Sequence, residues 1–134
     1  MIRIKGFTLV ELVIVIVIIG ILSIVAVPIY NGYVKKAITV EGKTLLGVIQ
    51  LAEKSYFAEN TTYLHVPTTS FNEILDIDVR ANKYFTSFTV SSNGEYGDDA
   101  RFTAITSTNN GIATGVSLTV IGKYKGEHVY SESL

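Results

Sequence analysis

One carboxylate, Glu11, stands near the start of an otherwise apolar run, and its position poses the chemical question in this sequence. From Phe7 to Val27 the run holds about 21 residues, roughly 32 Å as an α-helix, enough to cross the hydrocarbon core of a bilayer. Within it only Phe7, Thr8, Glu11, Gly20 and Ser23 depart from aliphatic side chains. A carboxylate at the centre of such a span costs about 2.5 to 3.5 kcal/mol on insertion scales, and less near its end. Glu11 therefore needs a positive partner. Arg3 and Lys5 are upstream candidates. Another appears if the chain is cut after Gly6, because Phe7 then carries a new ammonium group.

Other residue types with chemical potential do not form a set. His65 and His128 are far apart, and both read as surface or loop residues. Glu95, Asp98 and Asp99 could offer oxygens to Ca²⁺, but their spacing is not that of an EF-hand loop, so a solvated acidic turn is favoured. No nucleophile–base set or phosphate-cradling loop stands out, so the chain does not read as an enzyme, and no metal or cofactor is assigned. Asn60-Thr61-Thr62 is a glycosylation sequon only where that machinery exists. Tyr30, Tyr33, Tyr56 and Phe57 fit interfacial anchoring and packing along a helix.

The elements that position Glu11 follow from length and pattern. At 134 residues and 48% hydrophobic content, the chain is one domain plus a span. The remaining globular part, about 75 to 100 residues, suffices for one modest core. There are no cysteines, so that core must hold by packing and intersubunit contacts. Net charge is −1, or about −3 without Arg3 and Lys5, which gives no case for general nucleic-acid binding. Arg80, Lys83, Lys123 and Lys125 would make a DNA groove only if the fold brought them together. A secretory signal peptide would have a shorter apolar run and a better cleavage site than Ser23 to Ala26. The basic flank keeps the N-terminus cytoplasmic and sends the C-terminal domain outward.

Pro28 predicts a kink, since it cannot donate to the carbonyl of Ile24. Beyond it a second helical half is expected, ending near Ala58 to Asn60. Its apolar stripe is Val34, Ile38, Leu45, Ile49, Ala52 and Tyr56, with Lys35, Lys36, Glu41, Lys43, Glu53 and Lys54 on the polar remainder. Gly32, Gly42 and Gly47 weaken it, by tolerance or for close packing between copies. Residues 59–83 read as an irregular connection with a helical turn at Ser70 to Leu75, where Ser70 and Glu73 fit a capping box. Strands are expected at 84–90, 101–107 and 115–122, with a short last strand at 127–131 after a Lys125-Gly126 turn. The fold class is α+β, a long N-terminal helix packed on a C-terminal antiparallel sheet.

The short basic leader, Gly6, Phe7-Thr8-Leu9-Val10-Glu11 and the aliphatic stretch together resemble the processing signature of type IV prepilins and the related type II secretion pseudopilins. Gly20, Pro28, Tyr30 and Tyr33 also fall where such sequences have them. The resemblance is close over residues 6–33 and only general beyond about residue 60. It implies the ladle-shaped pilin architecture and three segments: a leader (1–6), a membrane-spanning and filament-core helix half (7–28), and a globular domain including the amphipathic half (29–134). It implies cleavage between Gly6 and Phe7 by a membrane-embedded prepilin peptidase, N-methylation of Phe7, and passage from the inner membrane into an extracellular helical filament built on an assembly platform. The filament would serve adhesion, motility or DNA uptake. Phe7 and Glu11 would then pair between neighbouring subunits, and helix would melt between Gly20 and Pro28. Many type IV pilins close a C-terminal loop with a disulfide, and this sequence departs from that pattern. The alternatives are a type II secretion pseudopilin acting as a periplasmic piston, and a minor pilin acting as a binding module.

Overall fold

The computed structural model describes residues 6–108, 114–123 and 128–133. A helix, α1 (Leu9–Asn60), precedes seven strands: β1 (Val66–Thr69), β2 (Phe71–Asn72), β3 (Ile77–Asp78), β4 (Phe88–Ser92), β5 (Arg101–Ser107), β6 (Ser117–Lys123) and β7 (Val129–Ser133). The chain divides into two units, the first ending at Tyr33 and the second beginning at Val34.

In the first unit α1 is long and apolar enough to cross a membrane, with a mean hydropathy of 3.3 over its most apolar stretch. None of that stretch is buried against the protein. Helix is continuous through Gly20 and Pro28. Ser23 donates its hydroxyl to the Ile19 carbonyl at 2.7 Å, so its polar group is satisfied within the helix, as lipid requires.

In the second unit α1 buries Ile38, Thr39, Gly42, Leu45, Leu46, Ile49, Glu53 and Phe57, which recur at helical steps of three and four. The expected stripe is present but wider, with Val34, Ala52 and Tyr56 only partly buried at its margin. This face packs with Phe85, Phe88, Val90, Phe102, Val116, Leu118 and Val120 in a single core. Gly42 sits at a close approach of the helix to the core. A Cβ there would fall 2.8 Å from Phe85 Cζ and closer still to Leu118.

The main sheet has the order β1-β4-β5-β6-β7, all neighbours antiparallel. Its register aligns Val90, Ala104, Val120 and Tyr130 across four strands. Alternation is clean on β5, where Phe102, Ala104 and Thr106 are buried and Arg101, Ile105 and Ser107 face out. This strand is 101–107 as expected.

Several expectations change. Residues 59–83 are not simply irregular, because they contain β1 and a small β2–β3 hairpin pairing Phe71 with Asp78 and Asn72 with Ile77. Pro67 is tolerated because β1 is an edge strand of the main sheet. The helical turn and capping box at Ser70 to Leu75 are replaced by the turn of that hairpin. There Asn72 Oδ1 accepts the Leu75 N–H at 2.9 Å, and the Ser70 carbonyl accepts the Val79 N–H at 2.9 Å. Asp76 has φ 52°, a left-handed conformation that a helix could not continue through.

The strand expected at 84–90 begins only at Phe88. The N–H groups of Tyr84 and Phe85 both donate to Glu41 Oε1 at 2.9 Å, so α1 holds that backbone rather than a neighbouring strand. The strand expected at 115–122 runs over Ser117–Lys123, and the last strand extends to Ser133. The Lys125-Gly126 turn lies outside the described residues.

Candidate functional site

The segment Gly6 to Glu11 leads into α1. Gly6, Phe7 and Thr8 precede the first helical residue and are exposed, Phe7 by 82%. The Gly6–Phe7 peptide bond is thus open to another molecule. Nothing lies within 4 Å of where a Cβ on Gly6 would sit.

Glu11 is not left unpartnered. Its Oε2 accepts the Thr8 backbone N–H at 2.9 Å and the Thr8 hydroxyl at 2.8 Å. In return, Thr8 Oγ1 accepts the Glu11 N–H at 3.2 Å. This is a reciprocal capping box, which ties up two orphan donors of the first turn and sets a carboxylate at the positive end of the helix dipole. Sequence reasoning sought a cation for Glu11 and passed over Thr8. The T-x-x-E spacing was the signal that could have found it. Arg3 and Lys5, the upstream candidates, lie outside the described residues.

The remaining candidates are dispersed. Arg80 Nε donates to Asp78 Oδ1 at 2.9 Å, and its guanidinium lies 4.9 Å from the centre of the Phe71 ring. Lys83 lies 5.1 Å from the Tyr84 ring centre. Lys123 ends β6 and lines a cavity with Lys54, Phe57 and Tyr63, while Lys125 is outside the described residues. Arg80 is already engaged by Asp78, and Lys123 lines a cavity whose lining includes neither Arg80 nor Lys83.

In the acidic turn, Asp98 and Asp99 sit on a short 3-10 turn (Gly97–Asp99), and Asn93 organises the loop by accepting the N–H groups of Glu95 and Arg101. Among the described residues no three His, Cys, Asp or Glu side chains gather as a metal-binding group. His65 is exposed and His128 half-buried. Burial, then the nearby Lys54, lowers the His128 imidazole's pKa below the ordinary value.

Sequence reasoning misplaced one titratable group. Glu53, expected on the polar face, has no exposed surface. Its Oε2 accepts the Leu64 N–H at 3.0 Å, while Oε1 is buried with no hydrogen-bond partner. Burial pushes its pKa up to about 7, against the lowering effect of the Leu64 bond.

Among the described residues, an α+β domain follows one exposed helix that is long and apolar enough to cross a membrane and carries a capped carboxylate in its first turn. Residues 1–27 match the family described as the prokaryotic N-terminal methylation motif. The chain is 37% identical over 120 residues to the fimbrial protein EcpC of Eikenella corrodens, covering 89% of this chain and 70% of that protein. It is 39% identical over 82 residues to the type IV major pilin protein PilA of Myxococcus xanthus, covering 61% of this chain but only 36% of the relative. It is 54% identical over 41 residues to the type IV major fimbrial protein FimA of Dichelobacter nodosus, 31% of this chain and 26% of the relative. No solved structure matches the chain significantly. The chain belongs to the type IV pilin family.

Proposed function

We propose that this chain is a structural subunit of a type IV pilus, and not an enzyme. The observation that carries the reading is the apolar helix from Leu9 onward, unburied by its own protein and carrying one carboxylate in its first turn. Such a surface needs lipid or copies of itself. The precursor would sit in the inner membrane, and a prepilin peptidase would cut between Gly6 and Phe7 and methylate the new N-terminus. Residues 1–6 are then the leader, 7–28 the filament-core half and 29–134 the outward domain. An assembly platform would pass subunits into an extracellular filament.

In that filament Glu11 exchanges its Thr8 partners for the Phe7 ammonium of a neighbouring subunit. Removing one partner of such a buried pair leaves an uncompensated charge, typically costing about 3 to 5 kcal/mol. The stretch between Gly20 and Pro28 would unwind as the helix leaves lipid, Pro28 already lacking the N–H that would bond the Ile24 carbonyl.

Mass spectrometry of the mature N-terminus and electron microscopy of Glu11→Ala cells test this together. The expected result is a methylated Phe7 terminus in both proteins, with filaments lost in the variant. A mature protein beginning at Met1, or normal filaments from Glu11→Ala, would overturn the processing or the pairing respectively.

A further inference from the structure

The last turns of α1 and the end of β6 border a cavity of about 390 Å³ whose charge differs from that of its neighbours. Lys54, Phe57, Ala58, Thr61, Tyr63 and Lys123 line it, with no Asp or Glu among them. Two other cavities beside α1 carry carboxylates, Glu41, Asp76 and Asp78 in one and Glu59 and Asp76 in the other. Among the described residues the ion pairs are Lys43–Glu132 and Arg80–Asp78, so Lys54 and Lys123 have no carboxylate partner there. After burial, it is the Lys54 charge that lowers the His128 pKa. Phe57 and Tyr63 supply the apolar surface. Their ring centres lie 4.8 Å apart, and Tyr63 lies 4.8 Å from Phe102 in turn, so the core fixes both rings before any ligand arrives. Only 7% of Phe57 and 4% of Tyr63 stay exposed. The volume falls low in the range of about 300 to 1,000 Å³ common for small-molecule sites.

We propose that this cavity binds a small anion, a carboxylate carried on a six-membered ring. The ring lies against Phe57 and Tyr63, and the carboxylate accepts from the Lys54 and Lys123 ammonium groups. Charge-assisted bonds of this kind are about twice as strong as neutral ones, and the absence of any lining carboxylate leaves both donors available. The flat apolar floor suits the face of a ring more than a flexible chain. Two free cations fit one anionic group. A nucleic-acid strand would need a track of cations along its phosphates, and Arg80 and Lys83 do not line the cavity. A sugar acid and an aromatic acid share the required chemistry, and the experiment separates them.

Saturation-transfer NMR on the detergent-solubilised full chain, with the signal of empty micelles subtracted, provides the test. The probes are glucuronate and benzoate, with glucose and benzyl alcohol as their neutral counterparts. At least one acid should receive saturation while its neutral counterpart does not, and the acid that does so identifies the source. Lys54→Gln/Lys123→Gln should weaken its binding about tenfold or more through the lost charge-assisted bonds. Each single variant should weaken it less. Both lysines are exposed, so the double variant should keep the wild-type unfolding midpoint. Lys36→Gln/Lys83→Gln, which removes the same charge away from the cavity, should leave affinity unchanged, and added NaCl should weaken the wild-type complex. Equal signals from acids and neutral counterparts, no signal from any probe, or wild-type affinity in Lys54→Gln/Lys123→Gln would overturn the inference. Tighter binding of a short single-stranded oligonucleotide, lost in the same double variant, would assign the two lysines to nucleic acid and equally overturn it. Filament formation enters none of these readouts, so such failures leave the pilus-subunit reading standing.

Discussion

The Leu64 N–H donates to Glu53 Oε2 at 3.0 Å, a bond that ties the last turns of α1 to the chain entering β1. It is made by a fully buried carboxyl whose other oxygen lacks a partner. Tyr63, the neighbouring titratable group, has its pKa raised by burial first and by the Glu53 charge second. The folded Glu53 value of about 7 lies above its ordinary 4.5, so the folded state binds the proton more tightly than the unfolded chain. Glu53's contribution to stability is therefore fully present below pH 4.5 and is lost as pH rises through about 7. The full loss is on the order of 3 kcal/mol. Asp78, held down to about 2 chiefly by Arg80, titrates below this window. Thermal unfolding of the detergent-solubilised full chain from pH 4.5 to 8 should show this decline. Glu53→Gln should flatten it and unfold at a higher temperature than wild type at pH 8. Parallel curves for the two proteins would rule the effect out.

Gly42 and Gly47 make opposite demands although they lie on one helix. A methyl at Gly42 would collide with Phe85 and Leu118, both fully buried and unable to retreat without disturbing the core. Gly42→Ala should destabilise the fold by about 1 to 3 kcal/mol, the usual cost of overpacking. Gly47→Ala meets open space and should stabilise the isolated chain by up to about 1 kcal/mol through helix propensity. Unfolding midpoints of the two variants, compared with wild type, measure both signs at once.

The parts of the fold legible from sequence were those whose pattern and environment agree. β5 was legible because Phe102, Ala104 and Thr106 alternate with outward residues over a full strand. The end of α1 was legible because its stripe runs unbroken into Phe57. β1, β2 and β3 were not, since strands of four, two and two residues are too short to show a period. Tyr84 and Phe85 carry strand-forming side chains, yet their N–H groups go to Glu41, a contact between residues more than forty positions apart. Glu53 misled by its type, because residue chemistry argued for solvent while helical phase placed it in the core. The S/T-x-x-E signal is present at both Ser70 and Thr8, but only at Thr8 does a long helix follow it.

Thr8 should matter through its hydroxyl and not its bulk. Thr8→Val keeps the shape but removes the oxygen that accepts the Glu11 N–H and donates to Glu11 Oε2. Loss of an N-cap costs about 1 kcal/mol, and here it also weakens the satisfaction of a carboxylate near lipid. The membrane-inserted precursor should accumulate to lower levels in Thr8→Val, and Thr8→Ser should restore it. Quantitative immunoblotting of membranes decides the matter. Equal levels in all three proteins would show that the box does not stabilise the inserted helix.

At the other end of α1, Thr61 adopts φ 57° directly after the last helical residue. The left-handed conformation is costly for a β-branched side chain, about 1 to 2 kcal/mol relative to a right-handed one, and glycine is the residue that terminates helices there without penalty. The backbone around it is well used. The Thr61 N–H donates to the Phe57 carbonyl at 2.8 Å, and the Thr61 carbonyl accepts the Gly97 N–H at 2.9 Å. The Thr61 hydroxyl bonds only locally, to the Asn60 carbonyl at 2.7 Å on an exposed surface, so its loss costs little. Thr61→Gly should therefore raise stability by roughly 0.5 to 1 kcal/mol, the relief of strain exceeding the added freedom of the unfolded chain. Thr61→Val, which keeps the branch and removes the hydroxyl, should gain nothing. Paired unfolding midpoints for these two variants separate backbone strain from hydrogen bonding as the property that matters at this helix end.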